Sequence, residues 1–235
     1  MAKTQLGILV EDIRGKAGNT VFTKTKDGIV VKPRVTPANP DTPAQRQVRE
    51  NLSKAATTWR NFTASQVQAW KNYAQHQLRT NPVNSRKRKQ NPMNAFVELA
   101  AKFLQVDPSG TIPTTPPTAG YSGDTIAITA TAGTGKVTFE ASAANSANTT
   151  TELLLQPLAG PNRTPQKNAY RSKGFFQFES GSLEHDIEVP PGYYAAAYRF
   201  VNKQTGQATK LTYLPVQGVT LAIEQGGKST SKKAA

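Results

Sequence analysis

The spacing of hydrophobic and polar positions changes twice along this chain. Residues 6–10 form a short apolar run, which Gly15, Gly18 and Asn19 then interrupt with flexible positions. Residues 21–25 read as a strand, Lys26, Asp27 and Gly28 as a turn, and residues 29–32 as the returning strand. A lone hairpin is marginal in water, so this segment has to pack on the chain's helices or on another chain. Pro33, Pro37, Pro40 and Pro43 make the next stretch an extended, rigid connector.

From residue 41 the period lengthens to that of a helix. Thr42, Pro43 and Gln45 supply an N-cap, a proline at the first helical position and the glutamine of a capping box. Val48, Leu52, Ala55, Ala56 and Trp59 follow on one face, and the helix is expected to end near Asn61. Thr63 and Gln66 repeat the capping box, with Phe62 and Val67 at the positions of a hydrophobic staple. Trp70, Tyr73, Ala74 and Leu78 continue the stripe. The short link predicts an αα-hairpin with Trp59 and Trp70 near one core. Asn91 and Pro92 open a third helix, whose apolar side is Met93, Phe96, Val97, Ala100, Ala101 and Leu104. Aromatics at helical spacing usually pack, so core burial is expected of both tryptophans; stacking on nucleic-acid bases is the alternative.

Residues 106–120, rich in proline and threonine, mark a domain boundary by composition. Beyond them apolar and polar positions alternate. Strands are expected over 125–130, 136–141, 151–156, 174–178, 183–189, 193–201, 208–214 and 219–224, with turn signals between them. That spacing suggests an antiparallel sandwich. The stretch 190–206 resembles the late hairpin of an immunoglobulin-like or fibronectin type III-like module. Tyr194, Ala196, Tyr198 and Phe200 share one face of it; Tyr193, Ala195, Ala197 and Arg199 share the other. The expected fold class is α+β. It comprises an extended arm with a β-hairpin (1–40), a helical domain of about three helices with a basic loop (41–105), a linker (106–120), an immunoglobulin-like β-sandwich (121–225) and a flexible basic tail (226–235).

Charge sharpens this division. The 235 residues carry a net charge of +14. Residues 1–107 hold 18 Lys and Arg against 7 Asp and Glu, an excess of 11, whereas residues 108–227 balance at 8 against 8. The attraction therefore belongs to the first half and favours an acidic partner, either nucleic acid or an acidic protein surface. Arg14, Lys16, Lys24, Lys26, Lys32 and Arg34 on the arm are candidate contacts, with Arg86, Lys87, Arg88 and Lys89 between the second and third helices. Residues 79–90 read as an aperiodic polar loop. It admits three readings: a phosphate grip, a contact for acidic protein, or an ordinary solvated loop. No zinc motif, Arg-rich recognition helix or aromatic RNA-binding strand accompanies it, which argues against a sequence-reading DNA binder.

Catalytic chemistry is not indicated. The chain has no cysteine, which excludes disulfides, thiolate nucleophiles and cysteine metal sites and fits a reducing compartment. His76 and His185 fall in different modules without a partner set. Glu184, His185 and Asp186 are consecutive on a strand, so they point to alternate faces and make no ready triad. Residues 15–20 fail as a phosphate loop, being too short and with Lys16 before the second glycine. Neither a signal-peptide core nor a run of transmembrane length is seen, so the chain is expected to be kept or assembled in a cytoplasm. No enzyme, metal or cofactor is expected.

Asp12, Ile13, Arg14, Gly15, Lys16, Ala17, Gly18, Asn19, Thr20, Val21 and Phe22 resemble the opening of a widespread group of small tailed-phage proteins. The likeness continues through residues 37–45, Arg49, residues 59–63, Gln66 and Trp70, and residues 94–97, covering about the first hundred residues. The resemblance implies a virion component without an assigned activity, present in several copies, assembled in the host cytoplasm and not bound to membrane. It implies as partners other virion proteins, capsid or neck and tail subunits, with non-specific contact to packaged DNA. A head-associated role such as decoration, cement or portal-vertex auxiliary is the expected one. A tail, neck or baseplate component is the runner-up, and a non-specific nucleic-acid binder with an accessory β module is the alternative from another class.

Overall fold

A computed structural model describes residues 2–4, 13–25, 28–36, 38, 40–80 and 87–220. The chain is mixed α+β, with three helices and antiparallel sheets among the described residues, and divides into two units, Met1–Arg46 and Gln47–Ala235.

In the first unit the expected hairpin is the centre of a four-stranded sheet. Its strands are β1 (Ala2–Thr4), β2 (Gly15–Ala17), β3 (Thr20–Thr25) and β4 (Gly28–Pro33), ordered β1-β4-β3-β2. Gly15, expected as a flexible interruption, lies with Lys16 on β2. The turn itself is Gly18 and Asn19, and Gly18 has the positive φ of 56° that a two-residue II′ connection asks of its first position. The apolar run 6–10 lies outside the described residues.

The first turn of α1 (Pro43–Arg60) falls in the first unit and the rest of the helical part in the second. α1 opens on the expected capping box: the Gln45 amide donates to Thr42 Oγ1 and the Thr42 amide to Gln45 Oε1, each at 3.3 Å. α2 (Ala64–His76) repeats it with Thr63 and Gln66, and α3 (Pro92–Val106) is capped by Asn91, whose Oδ1 accepts from the Met93 amide at 2.9 Å. Ala55, Trp70, Ala74, Ala95, Phe96 and Ala100 form the helical core, with Trp59 and Phe62 against it. Trp70 is 1% exposed and meets Phe96 edge-on at 5.2 Å, so it packs in the core and presents no face for base stacking. Thr63→Ala removes one half of a reciprocal cap and should lower stability by about 1 kcal/mol, read from a thermal melt.

Three helical expectations need correction. Leu78, expected to continue the stripe of α2, lies beyond the end of that helix at His76 and is 57% exposed. Val48 and Leu52 share the apolar face of α1 with buried Ala55, yet they are 60% and 51% exposed, because the helical core covers only the C-terminal part of α1. Met93 is likewise at the surface, and Phe103 is buried in its stead.

The sandwich has seven described strands: β7 (Ile128–Ala132), β8 (Lys136–Ala141), β9 (Thr149–Leu158), β10 (Arg171–Phe176), β11 (Glu184–Glu188), β12 (Gly192–Asn202) and β13 (Thr212–Val219). One sheet is ordered β11-β8-β7 and the other β10-β9-β12-β13. Read as A to G, this is A-B-E against D-C-F-G, an immunoglobulin-like arrangement with the fourth strand on the second sheet rather than the first. Tyr194, near the start of the sixth strand, donates from its hydroxyl to the Pro190 carbonyl at 2.8 Å, the tyrosine corner of such sandwiches. Tyr194, Ala196, Tyr198 and Phe200 face the inner core, as their alternation predicts. The expected strand over 208–214 starts later, at Thr212, and runs on to Val219. Most of the one expected over 219–224 lies outside the described residues, as does the tail.

β9 departs from simple alternation: residues 149–156 are buried on both faces. Its inner face meets the other sheet. Its outer face is covered near Leu154, Ala197 and Tyr170 by a second apolar cluster, and at Glu152 by α3. The proline-rich stretch 106–120 is correspondingly held down. Ile112 packs on the helical core, Trp70 Nε1 donates to the Thr114 carbonyl at 2.8 Å, and Gln207 Nε2 donates to that of Ala119 at 3.1 Å.

Candidate functional site

The cationic residues singled out above do not converge on one site. On the arm sheet, Val21 lies in register between Lys16 and Lys32, so these two lysines share a face. Lys24 is three residues on from Val21 and therefore lies on the other face, in register with Ile29. Arg14, Lys16, Lys24, Lys32 and Arg34 are all exposed. Lys26 and Arg86 lie outside the described residues.

The basic stretch between α2 and α3 is not the aperiodic loop expected. β5 (Leu78–Thr80) and β6 (Lys87–Lys89) pair in antiparallel register, Leu78 with Lys89, Arg79 with Arg88 and Thr80 with Lys87. The pairing is continued by the Gln90 amide donating to the Gln77 carbonyl at 3.1 Å. The register sets position 79 opposite position 88, and Lys87 and Lys89 on β6 are exposed.

Sequence reasoning missed the most developed polar arrangement, which sits where α3 meets the sandwich. Phe175, Glu152 and Arg199 form one row across β10, β9 and β12. Glu152 is 2% exposed and is held from both sides. Arg199 Nε donates to its Oε2 at 2.6 Å, and Lys102 Nζ, arriving from α3, lies 3.0 Å from the same oxygen. Lys102 also donates to Gln105 Oε1 at 2.7 Å and stands 5.3 Å from the Phe175 ring centre. Burial would push the Glu152 carboxyl up, but Arg199 and Lys102 together overcome it and hold the group below the usual glutamate range. Burial, aided by repulsion from Arg199, lowers Lys102 despite the attraction of Glu152. The one signal in the sequence was a lone carboxylate within an expected strand, Glu152 directly before Leu153, Leu154 and Leu155.

Above this triad lies a polar cleft of about 480 Å³, lined among others by Tyr73, Glu98, Lys102, Arg199, Gln207 and Lys210. Gly206 closes one side. An added Cβ there would come within 2.2 Å of the Leu99 carbonyl oxygen, so the turn after β12 touches the backbone of α3. The triad and this contact together lock the helix to the sandwich.

The histidines stand apart. His76 is an exposed residue at the end of α2. His185 stacks on Phe176, and burial lowers its pKa. Asp186 instead bonds Lys136 and Thr138. Among the described residues no group of three or more His, Asp or Glu is placed to hold a metal ion, and no helix is long and apolar enough to cross a membrane. No family model matches the chain, and no curated protein or solved structure is significantly similar to it.

Proposed function

We propose that this chain is a bacteriophage virion structural protein, head-associated as decoration, cement or portal-vertex auxiliary. It anchors through its cationic first half and displays the immunoglobulin-like sandwich. The observation that carries the reading is the arm sheet. Among the described residues of Met1–Arg46, Ile29 alone is a buried hydrophobic residue. A four-stranded sheet with so little core gains stability when a further surface covers it. Its short edge strands, β1 and β2, suit strand addition to a neighbouring subunit, and its exposed lysines suit an acidic one. The resemblance of residues 12–22 to tailed-phage proteins supplies the setting. The locked junction of α3 and the sandwich suits rigid display better than a tether.

Co-sedimentation of the full chain with purified particles tests this. Binding is expected, and deletion of residues 1–35 should abolish it while the sandwich still melts cooperatively. Absence from the pellet removes the virion reading. Retention after the deletion removes the arm as anchor.

The short ribbon of β5 and β6, with Lys87 and Lys89 exposed, favours a second reading, non-specific binding of nucleic acid. That reading requires affinity for duplex DNA that falls steeply with salt. No measurable binding at low salt ends it.

A further inference from the structure

The cleft above Glu152 has a cationic floor that the fold engages only in part. Arg199 Nε donates to Glu152 Oε2 at 2.6 Å. The remaining N–H groups of the guanidinium, on Nη1 and Nη2, have no protein acceptor among the described residues. Arg199 lines the cleft with 26% of its side chain exposed. Lys102 is instead satisfied, its Nζ donating to Glu152 and to Gln105. Thr209 ties the following segment to β12: its amide donates to the Phe200 carbonyl at 2.9 Å, and its Oγ1 accepts from the Phe200 amide at 3.0 Å. That pairing brings exposed Lys210 to the same cleft. We infer that the cleft binds a small hydroxylated carboxylate, whose carboxylate is held by the free edge of Arg199. The site goes beyond the virion reading and does not rest on it.

Charge sets the sign of the ligand. Lys102, Arg199 and Lys210 stand against Glu152 and Glu98, which leaves an excess of one positive charge. A monoanion balances it, whereas the second charge of a phosphate would stand unpaired near two carboxylates. Geometry sets the group. A guanidinium edge presents parallel N–H groups that match the two oxygens of a carboxylate. Glu152 is 2% exposed and fixes the plane of that edge before a ligand arrives, so little rotamer freedom is left to lose on binding. The volume and lining set the rest of the molecule. About 480 Å³ lies in the range of small-ligand sites and exceeds what a bare carboxylate fills. The Gln77 amide, the Tyr121 hydroxyl and Glu98, which accepts from Gln90 Nε2 at 2.8 Å, offer partners to ligand hydroxyls rather than a bed for an alkyl chain.

The probe is glucuronate, titrated into the full chain by ligand-observed NMR. It is compared with glucose, which lacks the carboxylate, with acetate, which lacks the hydroxylated body, and with inorganic phosphate. Glucuronate should bind about tenfold more tightly than each of the three. Arg199→Lys keeps a cation beside Glu152 but removes the planar edge, and should lose about tenfold. Lys210→Glu reverses the charge of an exposed side chain, so its melting temperature should match the parent's within a few degrees while affinity falls about fivefold. Arg163→Gln with Lys167→Gln changes net charge by the same amount at exposed residues outside the cleft lining, and should bind as the parent does. Should Arg199→Lys fail to fold, Lys210→Glu against that control decides. Binding of glucose, acetate or phosphate as tight as that of glucuronate overturns the inference, as does no binding of glucuronate at about 10 mM. An equal loss in Lys210→Glu and in the control also overturns it, in favour of diffuse attraction to a cationic surface.

Discussion

Glu152→Ala should destabilise the chain by about 3–5 kcal/mol, because it leaves two cations facing each other without the buried carboxylate that pairs them. Arg199 keeps about a quarter of its side-chain surface in solvent at 26%, against 15% for Lys102, so part of the cost is recovered by rehydration and the lower end of that range is expected. Chemical denaturation followed at neutral pH measures it. The triple exchange Lys102→Met, Glu152→Leu, Arg199→Met should recover most of the loss, since buried ion clusters exchange for apolar groups at little cost. The same carboxylate sets an acid limit. Its folded pKa lies below its unfolded value, so its contribution is fully present above the ordinary glutamate pKa of about 4.3 and is lost as pH falls through the folded value. Glu152→Gln should lack that component of acid sensitivity. A loss under about 1 kcal/mol for Glu152→Ala would mean that the triad does not hold α3 to the sandwich.

Gly206→Ala is expected to be the second most damaging change. Gly206 has φ of 73°, and its missing Cβ leaves room for the Leu99 carbonyl. Gly135→Ala provides the control: φ there is 68°, with nothing within 4 Å of the added carbon. The control should cost only the left-handed backbone penalty, about 1–2 kcal/mol. Gly206→Ala adds overlap with a helix backbone that cannot rotate aside, on the order of 1–3 kcal/mol more. Parallel thermal melts of the two variants isolate the difference. Equal melting temperatures would show that α3 moves away freely and that the junction is soft.

Where the sequence was legible, the determinants were local. Thr42 with Gln45 and Thr63 with Gln66 announced two helix starts because a capping box is closed within four residues. Tyr194, Ala196, Tyr198 and Phe200 announced the inner face of β12 because a strand's period is two. Asn91 and Pro92 marked the start of α3 for the same kind of reason. The basic stretch was misread because nothing in its composition announces that residues 78–80 and 87–89 pair. Their register is set by the ends of α2 and α3, which bring the two segments side by side. Val48 and Leu52 were assigned to a core because amphipathic spacing reports which face is apolar, not how far the covering helices reach.

The elements themselves, their caps, their faces and the concentration of positive charge in residues 1–107 were written in the order of residues along the chain. Burial of Glu152, the approach of Gly206 to Leu99 and the pinning of residues 106–120 were decided only in three dimensions. Each depends on partners about 40 to 110 positions apart in the chain, such as Lys102 with Glu152 and Leu99 with Gly206. Capping and periodicity act over a few residues, whereas the dielectric around a charge and the space beside a backbone are properties of the assembled layers.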